Sequence, residues 1–132
     1  MLKVRQAACS CGQLAVQVTG EPVRVSVCHC LACQRRTGSI FGAQARFPRD
    51  GVEFFGTGNE YRRTGDSGGI VRFTFCPNCG ATVWYVIEGQ EDLIAIPVGA
   101  FADPEFPMPI YSVYEVRKHA WISLAPQIER MD

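Results

Sequence analysis

Apolar and polar positions alternate along this chain in short runs, and no long stretch carries the period of an amphipathic helix. Leu14, Val16 and Val18 alternate with Ala15 and Gln17, and Thr19-Gly20-Glu21-Pro22 then reads as a turn. Val23, Val25 and Val27 alternate with Arg24 and Ser26 and lead straight into Cys28. The same pattern predicts strands over residues 40–47, 51–55, 61–64, 70–75, 82–87, 93–97, 110–115 and 121–124. Gly65-Asp66-Ser67-Gly68-Gly69 reads as a plain hairpin loop, and residues 31–37 as one helical turn. About nine short strands with turn-rich links predict an all-β chain, a sandwich or paired sheets. Phe41, Phe47, Phe54, Phe55, Phe73, Phe75, Trp84, Tyr85 and Trp121 fall mostly at core spacing. Residues 103–109, with three prolines, predict a rigid surface connector or a lid, and residues 128–132 a solvated tail. There is no repeat, low-complexity tract or linker, so residues 1–132 are expected to form a single domain.

Composition narrows the partners. Thirteen Lys and Arg balance 13 Asp and Glu. That balance argues against nucleic acid and anionic membranes, which need a basic excess. No apolar run reaches the roughly 18 residues of a membrane span. The start, MLKVRQAACSCG, lacks a secretory hydrophobic region, which leaves the cytoplasm as the expected compartment. A homo-oligomer stays open on composition alone.

The seven cysteines are the outlying feature, and an odd number cannot pair fully within one chain. In a reducing compartment, close-set thiols read first as metal ligands. Cys76-Pro77-Asn78-Cys79-Gly80 is the strongest local motif. Such a turn brings two sulfurs to one side, and the glycine accepts the positive φ a knuckle needs. Two thiolates do not close a tetrahedral zinc site, and Cys9-Ser10-Cys11-Gly12 supplies a second pair, again ending in glycine. A structural four-thiolate zinc on Cys9, Cys11, Cys76 and Cys79 is therefore expected. It would contribute on the order of 10 kcal/mol to folding. A redox pair or plain buried thiols are the alternatives; a redox C-x-x-C opens a helix in a βαβ context, and none is visible.

Cys28-His29-Cys30-Leu31-Ala32-Cys33 then holds three thiolates with no cysteine left to close the set. Three protein ligands and an open position mark a catalytic zinc, so two zinc ions per chain are expected. The competing reading is a second closed site completed by His29 or His119. His29 lies between two ligands, and its ring is expected to point away from their shared ion; His119 sits in the charged run Arg117-Lys118-His119. Three thiolates leave zinc a poor generator of hydroxide and a good holder of a soft sulfur ligand. A substrate thiol held there as thiolate is a nucleophile, and an aldehyde carbonyl is its natural electrophile. Arg35 and Arg36 follow directly. They either offset the charge of the centre and clamp a substrate carboxylate, or form a solvated basic turn. Thr37 and Ser39 are expected to cap the turn.

Taken together, CSCGQLAVQV, CHCLACQRRTGSIFGAQARF, FCPNCGATVWY, PVGAFADPEFPMP and KHAWISL resemble the glutathione-dependent formaldehyde-activating enzyme (GFA) family, whose relatives include centromere protein V-like proteins. The resemblance runs in order along nearly the whole chain. It implies a β-tent fold of small zinc-stabilised antiparallel sheets. It implies a structural zinc on Cys9, Cys11, Cys76 and Cys79, and a catalytic zinc on Cys28, Cys30 and Cys33. It also implies a carbon–sulfur lyase activity, the condensation of formaldehyde with glutathione, and hence a small thiol and an aldehyde as partners. Two other readings stay open: a non-catalytic zinc-stabilised binding module, and a metal or redox sensor whose open thiolates oxidise and release the ion.

Overall fold

The computed structural model describes residues 2–65 and 67–132. Asp66, in the middle of the expected 65–69 loop, therefore lies outside the described residues. Eleven strands and one short helix follow one another: β1 Val4–Ala8, β2 Ala15–Thr19, β3 Arg24–Cys28, α1 Leu31–Thr37, β4 Gly42–Pro48, β5 Val52–Phe55, β6 Asn59–Thr64, β7 Ile70–Phe75, β8 Thr82–Ile87, β9 Leu93–Pro97, β10 Tyr111–Val113 and β11 Glu129–Arg130. Short 3-10 turns lie at Arg49–Gly51, Val98–Phe101 and Glu115–Arg117.

The strands form two sheets, a three-stranded one in the order β1-β2-β5 and an eight-stranded one in the order β11-β10-β3-β4-β9-β8-β7-β6. The small sheet is antiparallel throughout. The large sheet is antiparallel from β3 through β4, β9, β8 and β7 to β6. At its other edge β10 lies parallel to β3 and β11 parallel to β10. The all-β expectation holds, with this parallel edge added to it.

One apolar core joins the sheets. Ala7, Leu14, Val16 and Val18 of the small-sheet side meet Val25, Ala45, Phe47, Val83, Ile94 and Ile96 of the large sheet, and Phe101 packs into the same cluster. Full burial of such side chains is worth about 1.5–3 kcal/mol each. Strands β3 and β4 are two-faced: Val25, Ala45 and Phe47 enter the core. The alternate positions Arg24, Ser26 and Cys28 oppose Arg46, Gln44 and Gly42 in register, on the other face. That polar face carries the candidate site.

Two expectations need correction, and one strand, β1, was not predicted. Residues 121–124 form no strand, and Trp121 is 73% exposed. The run alternates, but the edge of β10 is taken by β11. Residues 128–132 are not a free tail: Ile128 is buried and Glu129–Arg130 is that edge strand. Strand β1 has no apolar alternation; Val4 is exposed, and it forms through its backbone pairing with β2. Phe106 of the proline-rich segment stacks on Phe101, with the Arg5 guanidinium over its ring, so that segment packs down as a connector. No helix among the described residues is long and apolar enough to cross a membrane.

Candidate metal centres

The expected four-cysteine set comes together from two hairpin tips. Cys9 and Cys11 lie in the β1–β2 turn, Cys76 and Cys79 in the β7–β8 turn, and one sulfur from each falls within 4.8 Å of the others. Gly12 and Gly80 take φ of +87° and +81°, as the knuckle reading requires. The β7–β8 turn is closed by Cys76 N–H donating to the Ala81 carbonyl and Gly80 N–H to the Cys76 carbonyl. The Cys11 Sγ lies 3.6 Å from both Cys9 Sγ and Cys76 Sγ. Sulfurs about 2.3 Å from one tetrahedral zinc would be roughly 3.8 Å apart, so the donor set fits that ion.

Neighbouring N–H groups point at these sulfurs. Leu14 N–H donates to Cys9 Sγ, Asn78 N–H to Cys76 Sγ, and the Gln13 Nε2 to Cys76 Sγ at 3.1 Å. Desolvation pushes the Cys76 thiol up, but the bonds from Gln13, Cys79 and Asn78 outweigh it and hold the group down at about 6. A sulfur surrounded by donors is stabilised as thiolate, the form that ligates metal.

Cys28, Cys30 and Cys33 also gather their sulfurs within 4.8 Å, and all three side chains are buried. Strand β3 delivers Cys28, while Cys30 caps α1, accepting from the Cys33 N–H at 3.3 Å. The helix is closed by Gly38, whose N–H donates to the Gln34 carbonyl. The hydrogen bond from Cys28 holds the Cys33 thiol down at about 5 against its burial, with Cys30 and the Arg36 and Arg63 charges adding to the effect. Cys28 moves the opposite way, pushed up by its bond to Cys33 and by burial. Three sulfurs crowded out of water compete for protons, and a divalent cation relieves that competition. All seven cysteines are free thiols, and both clusters are compatible with zinc.

Among the described residues, no His, Asp or Glu atom joins either set. His29 is fully buried with its Nε2 2.9 Å from Ser112 Oγ and 3.5 Å from Glu115 Oε2. Ser112 in turn donates to Glu115. The ring packs edge-on to Phe41. His29 thus anchors the loop between its two cysteine neighbours to β10. His119 binds Gln34 Oε1 through Nε2, and the Gln34 Nε2 donates to the His29 carbonyl. Thr37 Oγ1 donates to the Cys33 carbonyl and accepts from Ser39 N–H, the capping role expected of it.

The cysteine triplet borders a cavity of about 230 Å3 that Ser26, Gln44, Tyr85, Arg24, Arg46 and Arg63 also line. Gly65, Ser67 and Gly69 of the β6–β7 loop rim it. A second cavity, of about 510 Å3, shares Ala32 and Arg63 with the first and carries Arg35, Arg36, Tyr61, Phe73 and Phe75. The sequence reading named Arg35 and Arg36 but missed Arg24, Arg46, Arg63 and Gln44. Strand alternation signals Arg24, which shares a face with Cys28; Gln44 and Arg46 join that face only through the β3–β4 register, and Arg63 comes from β6.

Among solved structures, the chain is similar to a Rhodobacter sphaeroides protein of known crystal structure, at 18% identity and a TM-score of 0.58. The likeness covers 75% of this chain and 91% of that one, and at this identity it shows the fold alone. No curated protein matches the chain. The family model described as "Glutathione-dependent formaldehyde-activating enzyme" matches residues 4–117, a span that includes every cysteine of both clusters. With that match across most of its length, the chain belongs to the glutathione-dependent formaldehyde-activating enzyme family.

Proposed function

We propose that this single-domain chain is a zinc-dependent carbon–sulfur lyase that joins a small thiol, glutathione or another, to an aldehyde such as formaldehyde, or runs the reverse reaction. The observation that carries this reading is the cysteine triplet bordering a cavity with three sulfurs and no fourth described ligand. Cys9, Cys11, Cys76 and Cys79 are assigned to a structural zinc. Cys28, Cys30 and Cys33 would hold the second zinc, whose chemistry when bound would be to favour the thiolate form of an incoming thiol.

The protein's own residues supply the rest. The sulfur of the thiol bonds to the carbonyl carbon, the π pair of the C=O bond moves to oxygen, and that oxygen takes up a proton to give a hemithioacetal. Arg36 and Arg63, whose charges act on Cys33, offset the negative charge gathered around the sulfurs. His29, locked to Ser112, and Cys30, capping α1, fix the backbone that spaces the triplet.

Cobalt in place of zinc makes the test optical. Addition of glutathione or 2-mercaptoethanol should shift the sulfur-to-cobalt charge-transfer band of the triplet site and leave that of the four-sulfur site unchanged. Native mass spectrometry should find two metal ions per chain. A single ion, or a cobalt spectrum indifferent to thiols, would remove the reading.

A further inference from the structure

Down one face of β3 and β4 runs a column of paired positions: Cys28 opposite Gly42, Ser26 opposite Gln44, Arg24 opposite Arg46. Each step along a strand face is about 6.6–6.8 Å. The column therefore has sulfur at one end, a hydroxyl and an amide in the middle, and two guanidinium groups at the far end. All of these except Gly42 line the 230 Å3 cavity.

Among the described residues, no carboxylate balances the charge at the far end. Like charges directly opposite across a strand pair are destabilising, yet Arg24 faces Arg46. Burial holds the Arg46 guanidinium below its usual range; the nearby Tyr85 and Cys28 groups raise it and the Arg24 charge lowers it. Among the described residues neither arginine has a carboxylate partner, and neither cavity is lined by Asp or Glu. The Nε atoms of Arg24, Arg36, Arg46 and Arg63 are all shielded from solvent without a hydrogen-bond partner. In the middle rung, Gln44 is 4% exposed; its Nε2 donates to Ser26 Oγ, while its Oε1 has no donor. Tyr111 lies under the Arg24 guanidinium at 4.6 Å from its ring centre, which holds that fork in place. Buried donors kept unpaired, against their own repulsion, mark a site prepared for an anion.

Building on the lyase reading, we propose that the aldehyde this protein takes bears its own carboxylate, an oxo acid of the glyoxylate kind, held by Arg24 and Arg46. The carboxylate occupies the arginine pair, and the hydroxyl of the adduct donates to Gln44 Oε1. The reacting carbon then lies on the sulfur side of the column. The sulfur of the thiol sits at the triplet, in the 230 Å3 cavity, and the rest of a larger thiol extends past Ala32 and Arg63 into the 510 Å3 cavity, where Arg35 and Arg36 stand at the wall.

Binding alone gives the first test. Glycolate, which cannot add a thiol, should shift the Arg24 and Arg46 Nε–H resonances of the zinc-loaded protein, and ethylene glycol should not. Arg46→Gln should weaken glycolate binding about 10- to 100-fold, the range of one charged hydrogen-bonded contact. Arg46→Lys should recover part of it. Arg46→Gln should also melt no lower than the parent, because it removes a like-charge pair; a purely structural arginine would lower it. With 2-mercaptoethanol as the thiol, glyoxylate should be preferred to glycolaldehyde, and Arg46→Gln should abolish that preference.

Equal use of glyoxylate and glycolaldehyde, or glycolate binding untouched by Arg46→Gln, overturns the inference. So does an Arg46→Gln effect that follows mercaptoacetate with formaldehyde, since the carboxylate would then belong to the thiol. Should thiols shift the cobalt spectrum while glycolate fails to bind, this inference falls and the lyase reading stands. Should glycolate bind while thiols leave the cobalt spectrum unmoved, the lyase reading falls and the anion site stands.

Discussion

The two cysteine sets differ in what each residue holds together. Cys76 sits at a junction between hairpin tips, fully buried, with its sulfur accepting from Gln13 and Asn78. Cys33 lies in a single local segment, Cys28 to Cys33, and its sulfur borders a cavity. Cys76→Ser should therefore cost much of the roughly 10 kcal/mol that a structural zinc contributes. Cys33→Ser should leave most of the fold and remove thiol binding. Melting curves of the two variants, read beside their zinc content, check this; equal losses would favour a non-catalytic binding module. Both sulfur sets were legible in the sequence because ligand spacing is a local property. The arginine pair was harder to read: Arg24 and Arg46 are far apart in sequence, and only the β3–β4 register makes them neighbours.

The elements that were hardest to read are those without an apolar alternation of their own. Strands β7, β8 and β9 match their predicted bounds, because their own alternation carries the signal. Strands β1 and β11 have weak apolar patterns and exist through pairing with β2 and β10. The turn after β5 shows a similar dependence. Gly56 lies against the β1–β2 connection, where an added Cβ would come within 1.8 Å of the Gln13 carbonyl oxygen, and its φ is +91°. Gln13 also clamps Thr57, donating to its carbonyl and accepting from its N–H. Gly56→Ala should therefore push Gln13 away, disturb its bond to Cys76 and cost about 2–4 kcal/mol. Chemical denaturation reads the loss. Because the strain falls on the partner of Cys76, a proposed zinc ligand, metal retention should fall with it, and a variant of parental stability and zinc content would refute the coupling.

For the molecule as a whole, the proposed zinc on the four-sulfur cluster would do the same job as the apolar core. The cysteines join the β1–β2 turn of the small sheet to the β7–β8 turn of the large one. Leu14, Val16 and Val18 pack with Ile94 and Ile96 between the same two sheets. A structural zinc is worth about 10–16 kcal/mol, as much as the 5–15 kcal/mol net stability of an ordinary domain. The core therefore should not hold the sheets together once that ion is gone. Because both sheets share one cluster, the loss should be cooperative rather than a local opening of the small sheet. Hydrogen exchange on chelator-treated protein tests this with two strands. Amides of β2 and β9, which both contribute side chains to the shared core, should lose protection together, and added zinc should restore both. Cys33→Ser, retaining the four-sulfur ion, should keep protection in both strands. Persistent protection of β9 beside exchange in β2 would make the ion a clasp on the small sheet alone. Persistent protection of both, with metal loss verified, would leave the core sufficient without it.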